Sequence, residues 1–365
     1  MKMSRKGEAP ATLEDIARRL KVSRVTVSKA LRGHPDISEE TAAMVRKIAE
    51  ELGYRPNIIA RALSTRRSGM IGLVVPKIAH SFFGAVIEGV YNTAFASGYE
   101  IILTVSQENA EREKRHLQTL VSMRVDGIIV SVSEQTRDVE VFQWIRKLGI
   151  PLMFLDREPE PPLGKCWSVL VDDKGGAYKA VDHAAKLGYR NIACFGGNPH
   201  INIGKNRYLG FEAAMKAHRL PVRRHWVIEG GFGKDVGYNG LMQLHKEGKL
   251  PELIFAVTYP VALGVFEAAK QLGLRIPEDV DVICFGDSDV GRIISPALSC
   301  VSQPSTELGT RAVEVMLSMI THPNMVAQER VVLPTSIILR ETCTGKNVIA
   351  PLPTDRAPQG ALART

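Results

Sequence analysis

Apolar residues recur along this chain at two different periods, and the change of period divides it. From Leu13 the spacing is helical, with Leu13, Ile16, Ala17 and Leu20 on one face. Thr12-Leu13-Glu14-Asp15 fits a capping box, so a helix starts there, and it should stop near Leu20-Lys21-Val22. Ser23 is the next N-cap, and Val27, Ala30 and Leu31 form a second short stripe. Gly33, Pro35 and Asp36 form a turn. Ser38 caps a third helix, with Glu39 and Glu40 at its positive end and Val45, Ile48, Ala49 and Leu52 on its inner face. Gly53 ends it.

From Met70 onward short apolar runs alternate with amphipathic segments. The runs read as strands over 71–75, 101–105, 127–132, 152–155, 168–171, 191–195, 226–229, 253–257 and 280–285. Helical stretches such as 83–96, 111–123, 175–187 and 261–272 separate most of them. This alternation requires parallel sheets covered on both faces. The fold class is therefore α/β behind an all-α N-terminal segment. Two such sheets in sequence leave a cleft where strand C-termini and their loops collect polar groups.

Charge sharpens the division. Residues 1–68 carry 15 Lys and Arg against 8 Asp and Glu, whereas the remaining 297 residues carry 32 against 31. The positive excess sits in the small helical segment, which is the footprint of a polyanion-binding module. Two short helices joined by a tight turn and braced by a third make a helix-turn-helix. The second helix would enter a major groove, reading bases with Arg24, Val25 and, one turn later, Lys29. Thr12, Ser23 and Thr26 are placed to donate to phosphates. A three-helix protein-interaction module is the alternative.

The 365 residues suggest two or three compact units. No run approaches a membrane span, and residues 1–10 are polar and basic, unlike a secretory signal. The five cysteines lack C-x-x-C spacing, which points to reduced thiols in a cytoplasmic core rather than disulfides or a zinc site. There is no nucleophile elbow, zincin helix or phosphate-binding loop, so the residues point to no enzyme, metal or cofactor.

The headpiece resembles the lactose-repressor (LacI/GalR) family. The matching elements are Asp15-Ile16-Ala17, Val22 to Ser28, and the run from Gly53-Tyr54 to Leu63. The resemblance implies a sequence-specific repressor that binds a pseudo-palindromic operator as a dimer. Asn57, Ala60 and Leu63 would lie in a hinge helix that folds on DNA, with Leu63 wedged into a minor-groove base step. Core packing is the other reading of Leu63. Residues 11–55 would form the headpiece and 56–69 the hinge and linker.

The resemblance extends over roughly residues 11–341, through Arg124-Val125-Asp126-Gly127, Gly210-Phe211, Gly273 to Val280 and Ser295 to Leu298. It implies a periplasmic-binding-protein-like effector domain over 70–343, built as two doubly wound parallel-sheet subdomains. The expected boundaries are 70–159 with 289–319 for the first, and 160–288 with 320–343 for the second. Residues 344–365 lack periodicity and read as a disordered tail.

By the same resemblance a small-molecule effector would meet Phe82, Phe83, Ile201, Ile203, Arg207 and Phe232. Core packing is the alternative for the aromatics, and plain surface for Arg207. Two positions depart from the family pattern. Tyr259 and Gly286 replace acidic residues that usually grip sugar hydroxyls, with Asp287 a candidate substitute. That loss argues against a simple hexose or pentose. It leaves open a bulkier, anionic or phosphorylated ligand near His200, Lys205 and Arg207, a protein partner, or no ligand.

Overall fold

The computed structural model describes residues 11–54, 67–159, 163, 166–322 and 330–345. It falls into two units, 1–68 and 69–365. In the first, α1 (Leu13–Leu20), α2 (Arg24–Leu31) and α3 (Glu39–Glu51) start where the caps require. Thr12 Oγ1 accepts the Asp15 N–H at 3.3 Å while the Asp15 carboxylate accepts the Thr12 N–H at 2.9 Å, so the box is reciprocal. Lys21 closes α1 with φ 54°, and Ser23 and Ser38 cap the next two helices. Ile16, Val27 and Val45 are fully buried, one from each helix, and they anchor a small separate core.

The second unit contains two six-stranded sheets. The first sheet runs β11-β5-β4-β3-β1-β2 and the second β12-β10-β9-β8-β6-β7. The first is built from β1 (Met70–Val75), β2 (Glu100–Val105), β3 (Gly127–Val130), β4 (Leu152–Leu155), β5 (Trp167–Val171) and β11 (Arg330–Leu333). The second is built from β6 (Ile192–Phe195), β7 (Val227–Ile228), β8 (Leu253–Ala256), β9 (Asp281–Phe285), β10 (Ser299–Ser302) and β12 (Ser336–Ile338). All pairings are parallel except β10 with β12. The helices are α4 (Ser81–Ala96), α5 (Ala110–Ser122), α6 (Glu140–Lys147), α7 (Asp173–Lys186), α8 (Asn202–Ala217), α9 (Lys234–Lys246), α10 (Tyr259–Leu272), α11 (Asp289–Ile293) and α12 (Ser305–Thr321).

Hydrogen bonding relocates the expected subdomain boundaries. β5 pairs with β4 and β11, so residues 167–171 belong to the first subdomain and not to a second one beginning at 160. β10 pairs with β9, so the chain stays in the second subdomain through Ser302 rather than leaving it at 289. α12 and β11 then return to the first, which extends the return past 319 to 333. β11 and β12 are short and only partly buried, and β10 is Ser299-Cys300-Val301-Ser302, so none of the three forms a continuous apolar run.

One apolar cluster joins the two halves, running from Leu117, Phe142 and Phe154 through Ala180 to Phe211 and Phe255. The outer helix pairs approach very closely. An added Cβ at Gly237 of α9 would lie 1.9 Å from the Val261 carbonyl, and one at Gly264 of α10 1.9 Å from the Lys234 carbonyl. Only glycine lets these two backbones touch. Among the described residues no helix is long and apolar enough to cross a membrane. The expectations for 55–66, including Asn57, Ala60 and Leu63, and for 346–365 lie outside the described residues.

Candidate DNA-binding face and ligand cleft

α2 turns Val27 and Ala30 inward and leaves Arg24 and Val25 outside. Val25 is 63% exposed, so its methyls are free for an apolar contact. Ser23 Oγ accepts the Thr26 N–H at 3.0 Å and lies 2.8 Å from Thr26 Oγ1. Thr12 Oγ1 donates to the Asp15 carboxylate at 2.7 Å. These hydroxyls are held in fixed directions by their capping bonds. Lys29 Nζ is bonded to the Asp36 carboxylate at 2.8 Å, and that bond holds Asp36 below its ordinary range. A base contact by Lys29 therefore requires exchange of this exposed pair.

The cleft of the second unit lies at the C-terminal ends of both sheets, where an α/β fold binds ligands. Its empty volume is about 540 Å³, part of it open to solvent. β1 and the start of α4 supply Lys77, His80, Phe82 and Phe83. The turns after β2 and β4 supply Glu108, Asp156 and Arg157. From the other side come Ile203 and Arg207 on α8, Phe232 after β7, Thr258 and Tyr259 after β8, Phe285 and Gly286 at β9, and Gln303 after β10.

Five of the expected contacts, Phe82, Phe83, Ile203, Arg207 and Phe232, meet in this one place. Two do not. Ile201 is fully buried in the core as the N-cap of α8. Asp287 points to Arg292 at 2.9 Å and Arg340 at 2.8 Å, away from the lining. His200 and Lys205 also lie outside the lining. Gly286 has φ +96°, a conformation in which an aspartate would be strained, so its side-chain loss matches its backbone.

The charged groups are ordered in pairs. Arg157 Nη1 donates to both Glu108 oxygens, at 3.1 and 3.0 Å, and its guanidinium lies 4.9 Å from the centre of the Phe232 ring. Arg207 Nε donates to Asp173 at 2.8 Å and Nη1 to the Val257 carbonyl at 2.7 Å, with its guanidinium 3.8 Å over Phe285. Burial raises Asp156, and it raises Asp173 to about 7 against the pull of Arg207. Burial, with Arg157, Lys77 and Arg207 nearby, lowers His80 to about 4, so its imidazole is neutral at pH 7.

His80 Nδ1, Asp156 Oδ1, Arg157 Nε and Asp173 Oδ2 are buried without a hydrogen-bond partner among the described residues. Unpaired buried polar atoms are costly, and three of these residues, His80, Asp156 and Arg157, line the cleft. Glu108, Asp156 and Arg157 escaped the residue-type search. The signal was positional, since Asp156 and Arg157 follow directly on β4 and Glu108 lies three residues beyond β2, at strand ends that face the cleft.

Residues 12–57 match the family described as bacterial regulatory proteins, lacI family, and residues 181–343 match the periplasmic binding protein-like domain. The ribose operon repressor of Haemophilus influenzae is 31% identical over 341 residues, covering 91% of this chain and 98% of that protein. The HTH-type transcriptional repressor PurR of Pectobacterium carotovorum is 32% identical, covering 92% and 98%. The lac repressor dimer bound to operator and the anti-inducer ONPF has the same fold, with a TM-score of 0.81 at 23% identity over 92% of this chain and 99% of that one. A helix-turn-helix with an exposed basic second helix, a two-sheet domain with a cleft, and repressor relatives matching end to end lead to one conclusion. The chain belongs to the lacI family of bacterial regulatory proteins and is a DNA-binding regulator of transcription, not an enzyme.

Proposed function

We propose that this protein represses transcription by binding a pseudo-palindromic operator as a homodimer in the cytoplasm, and that a small molecule in the cleft modulates its affinity. The observation that carries the reading is α2, which is apolar inside and presents Arg24, Val25 and Lys29 outside. Arg24 and Lys29 read base edges, Val25 makes an apolar contact, and Thr12, Ser23 and Thr26 meet phosphates. Asn57, Ala60 and Leu63 contact the minor groove, and Leu63 kinks the centre of the site. A dimer doubles the half-site and gives the operator its symmetry. Tyr91 and Phe95 support self-association: they stack with centroids 6.1 Å apart, and they are 51% and 64% exposed on α4.

The effector contacts Phe82, Phe83, Ile203, Arg207 and Phe232, joined by Asp156 and Arg157. It acts through its different affinity for two arrangements of the subdomains, and so through the hinge. No cofactor is needed.

Genome-fragment selection on the purified protein, repeated across a salt series, tests this. Enrichment of one short near-palindrome is expected. Binding with no enriched site and a steep salt dependence throughout means that only phosphates are contacted, and the proposal fails.

A further inference from the structure

We infer that Asp36 is a specificity-determining residue: it restrains Lys29 from phosphates and yields it only to a matching base edge. The inference rests on the reading of Lys29 as a base contact. It starts from the backbone after α2, which folds back in a fixed way. Gly33 takes φ +65°, the His34 N–H donates to the Lys29 carbonyl at 3.1 Å, and the Ile37 N–H donates to the His34 carbonyl at 3.1 Å. Ile37 packs on the headpiece core, and Ser38 then caps α3. This path returns Asp36 to Lys29, seven residues away, where Lys29 Nζ donates to Asp36 Oδ2 at 2.8 Å. His34 Nδ1 lies 3.3 Å from the same oxygen. Lys29 first, and His34 after it, favour the ionised carboxylate.

The Lys29 and Asp36 side chains are 35% and 60% exposed, so the pair is within reach of DNA and can exchange. A lysine ammonium is a point charge with no preferred plane. A phosphate oxygen offers it the same single charged acceptor that Asp36 already supplies. On DNA of arbitrary sequence, exchange therefore brings no net gain and leaves an ionised Asp36 facing phosphates of like charge. A guanine presents N7 and O6 together in the major groove. There Lys29 gains a second acceptor and leaves Asp36. The aspartate is thus a built-in competitor that weakens the wrong complex more than the right one. An exposed ion pair is weak, so the operator complex loses only about twofold to fivefold in affinity. The complex with other sequences lacks one phosphate contact, worth about 0.9 in the salt slope.

The test uses the full chain, the operator fragment that selection enriches, and a mixed-sequence duplex of the same length that lacks it. Affinity is read by fluorescence anisotropy across a salt series for the unaltered protein, Asp36→Asn, Lys29→Ala and the double variant. Asp36→Ser is measured beside Asp36→Asn, because an asparagine oxygen can still accept from Lys29. Loss of the carboxylate should tighten binding to the mixed duplex about threefold to tenfold and steepen its salt slope by about 0.9. Operator affinity should rise less, so the ratio of the two falls. With Lys29 replaced by alanine, loss of Asp36 should no longer steepen the slope, whereas simple removal of a negative charge from the DNA face acts with or without the lysine. The inference is overturned if neither Asp36 variant changes binding to the mixed duplex, if the change persists without Lys29, or if operator affinity rises by as much. An enriched operator with unchanged slopes leaves the repressor reading standing and removes this one. If selection enriches no operator, the repressor reading fails, while a steeper slope that depends on Lys29 still upholds the restraint of Lys29 by Asp36.

Discussion

Replacing Glu113 by glutamine should make this protein more stable in base and leave it unchanged in mild acid. Glu113 lies on α5 with only 1% of its surface exposed. Its carboxylate accepts the Ser133 N–H at 2.6 Å and the Thr136 hydroxyl at 2.8 Å. Burial outweighs both bonds and raises the group from the ordinary 4.5 to about 7, with Glu108 adding to the rise. The folded state therefore holds this proton more tightly than the unfolded chain. Between pH 4.5 and about 7 the unfolded chain binds fewer protons, so stability falls as pH rises through that window. Above it the full cost of the buried charge is present, about 3 kcal/mol from the size of the rise.

Glutamine removes the charge and can keep both bonds, its oxygen accepting from Ser133 N–H and its amide donating to Thr136 Oγ1. Thermal melts at pH 8.5 should show Glu113→Gln higher by up to roughly 5–10 °C. At pH 4, below the unfolded value of 4.5, the two proteins should melt within about a degree of each other, since the group is then mostly protonated in the folded and the unfolded chain alike. A variant equally destabilised at both pH values would refute the reasoning, because it would mean that geometry and not charge governs the site.

Three further changes separate the parts of the molecule. Leu63→Ala should lower specific operator affinity and the bend angle together in a gel-shift series, and no change in either removes the wedge. Arg207→Ala strips the partner from buried Asp173 and should destabilise the second unit by about 3–5 kcal/mol in chemical denaturation, with Asp173→Asn restoring part of the loss. Without that partial rescue, the ion pair is not what holds the site. Gly264→Ala puts a methyl 1.9 Å from the Lys234 carbonyl and should cost about 1–3 kcal/mol as α9 and α10 separate, whereas an unchanged melt would show that the contact yields freely.

Much of this was legible before any coordinates. The caps at Thr12, Ser23 and Ser38 are side-chain bonds to backbone three residues away, and such local bonds appear in sequence spacing. Most of the nine expected strands, β3, β4, β6, β8 and β9 among them, are continuous apolar runs buried on both faces, whereas β2 and β7 at the sheet edges are half-buried or exposed. The short β10, β11 and β12 were not foreseen, and neither was the sheet that β5 joins, because a strand's partner is set by register and twist in the folded sheet, as where β5 pairs with the distant β11.

The same boundary runs through the site. Phe82, Phe83, Ile203, Arg207 and Phe232 were found by motif, and each is held by the loop or helix that carries it. Asp287 has the expected chemistry but is turned aside by Arg292 and Arg340, the latter 53 residues away in sequence. Glu108, Asp156 and Arg157 belong to no motif and become a site only when two strand ends face Phe232 from the other sheet. By itself, the sequence determined what local hydrogen bonds and periodicity encode: the headpiece, the alternation of strand and helix, and the basic reading face. The tertiary structure decided which charges pair and which polar atoms stay unsatisfied, because burial and pairing depend on distances between segments that no spacing along the chain records.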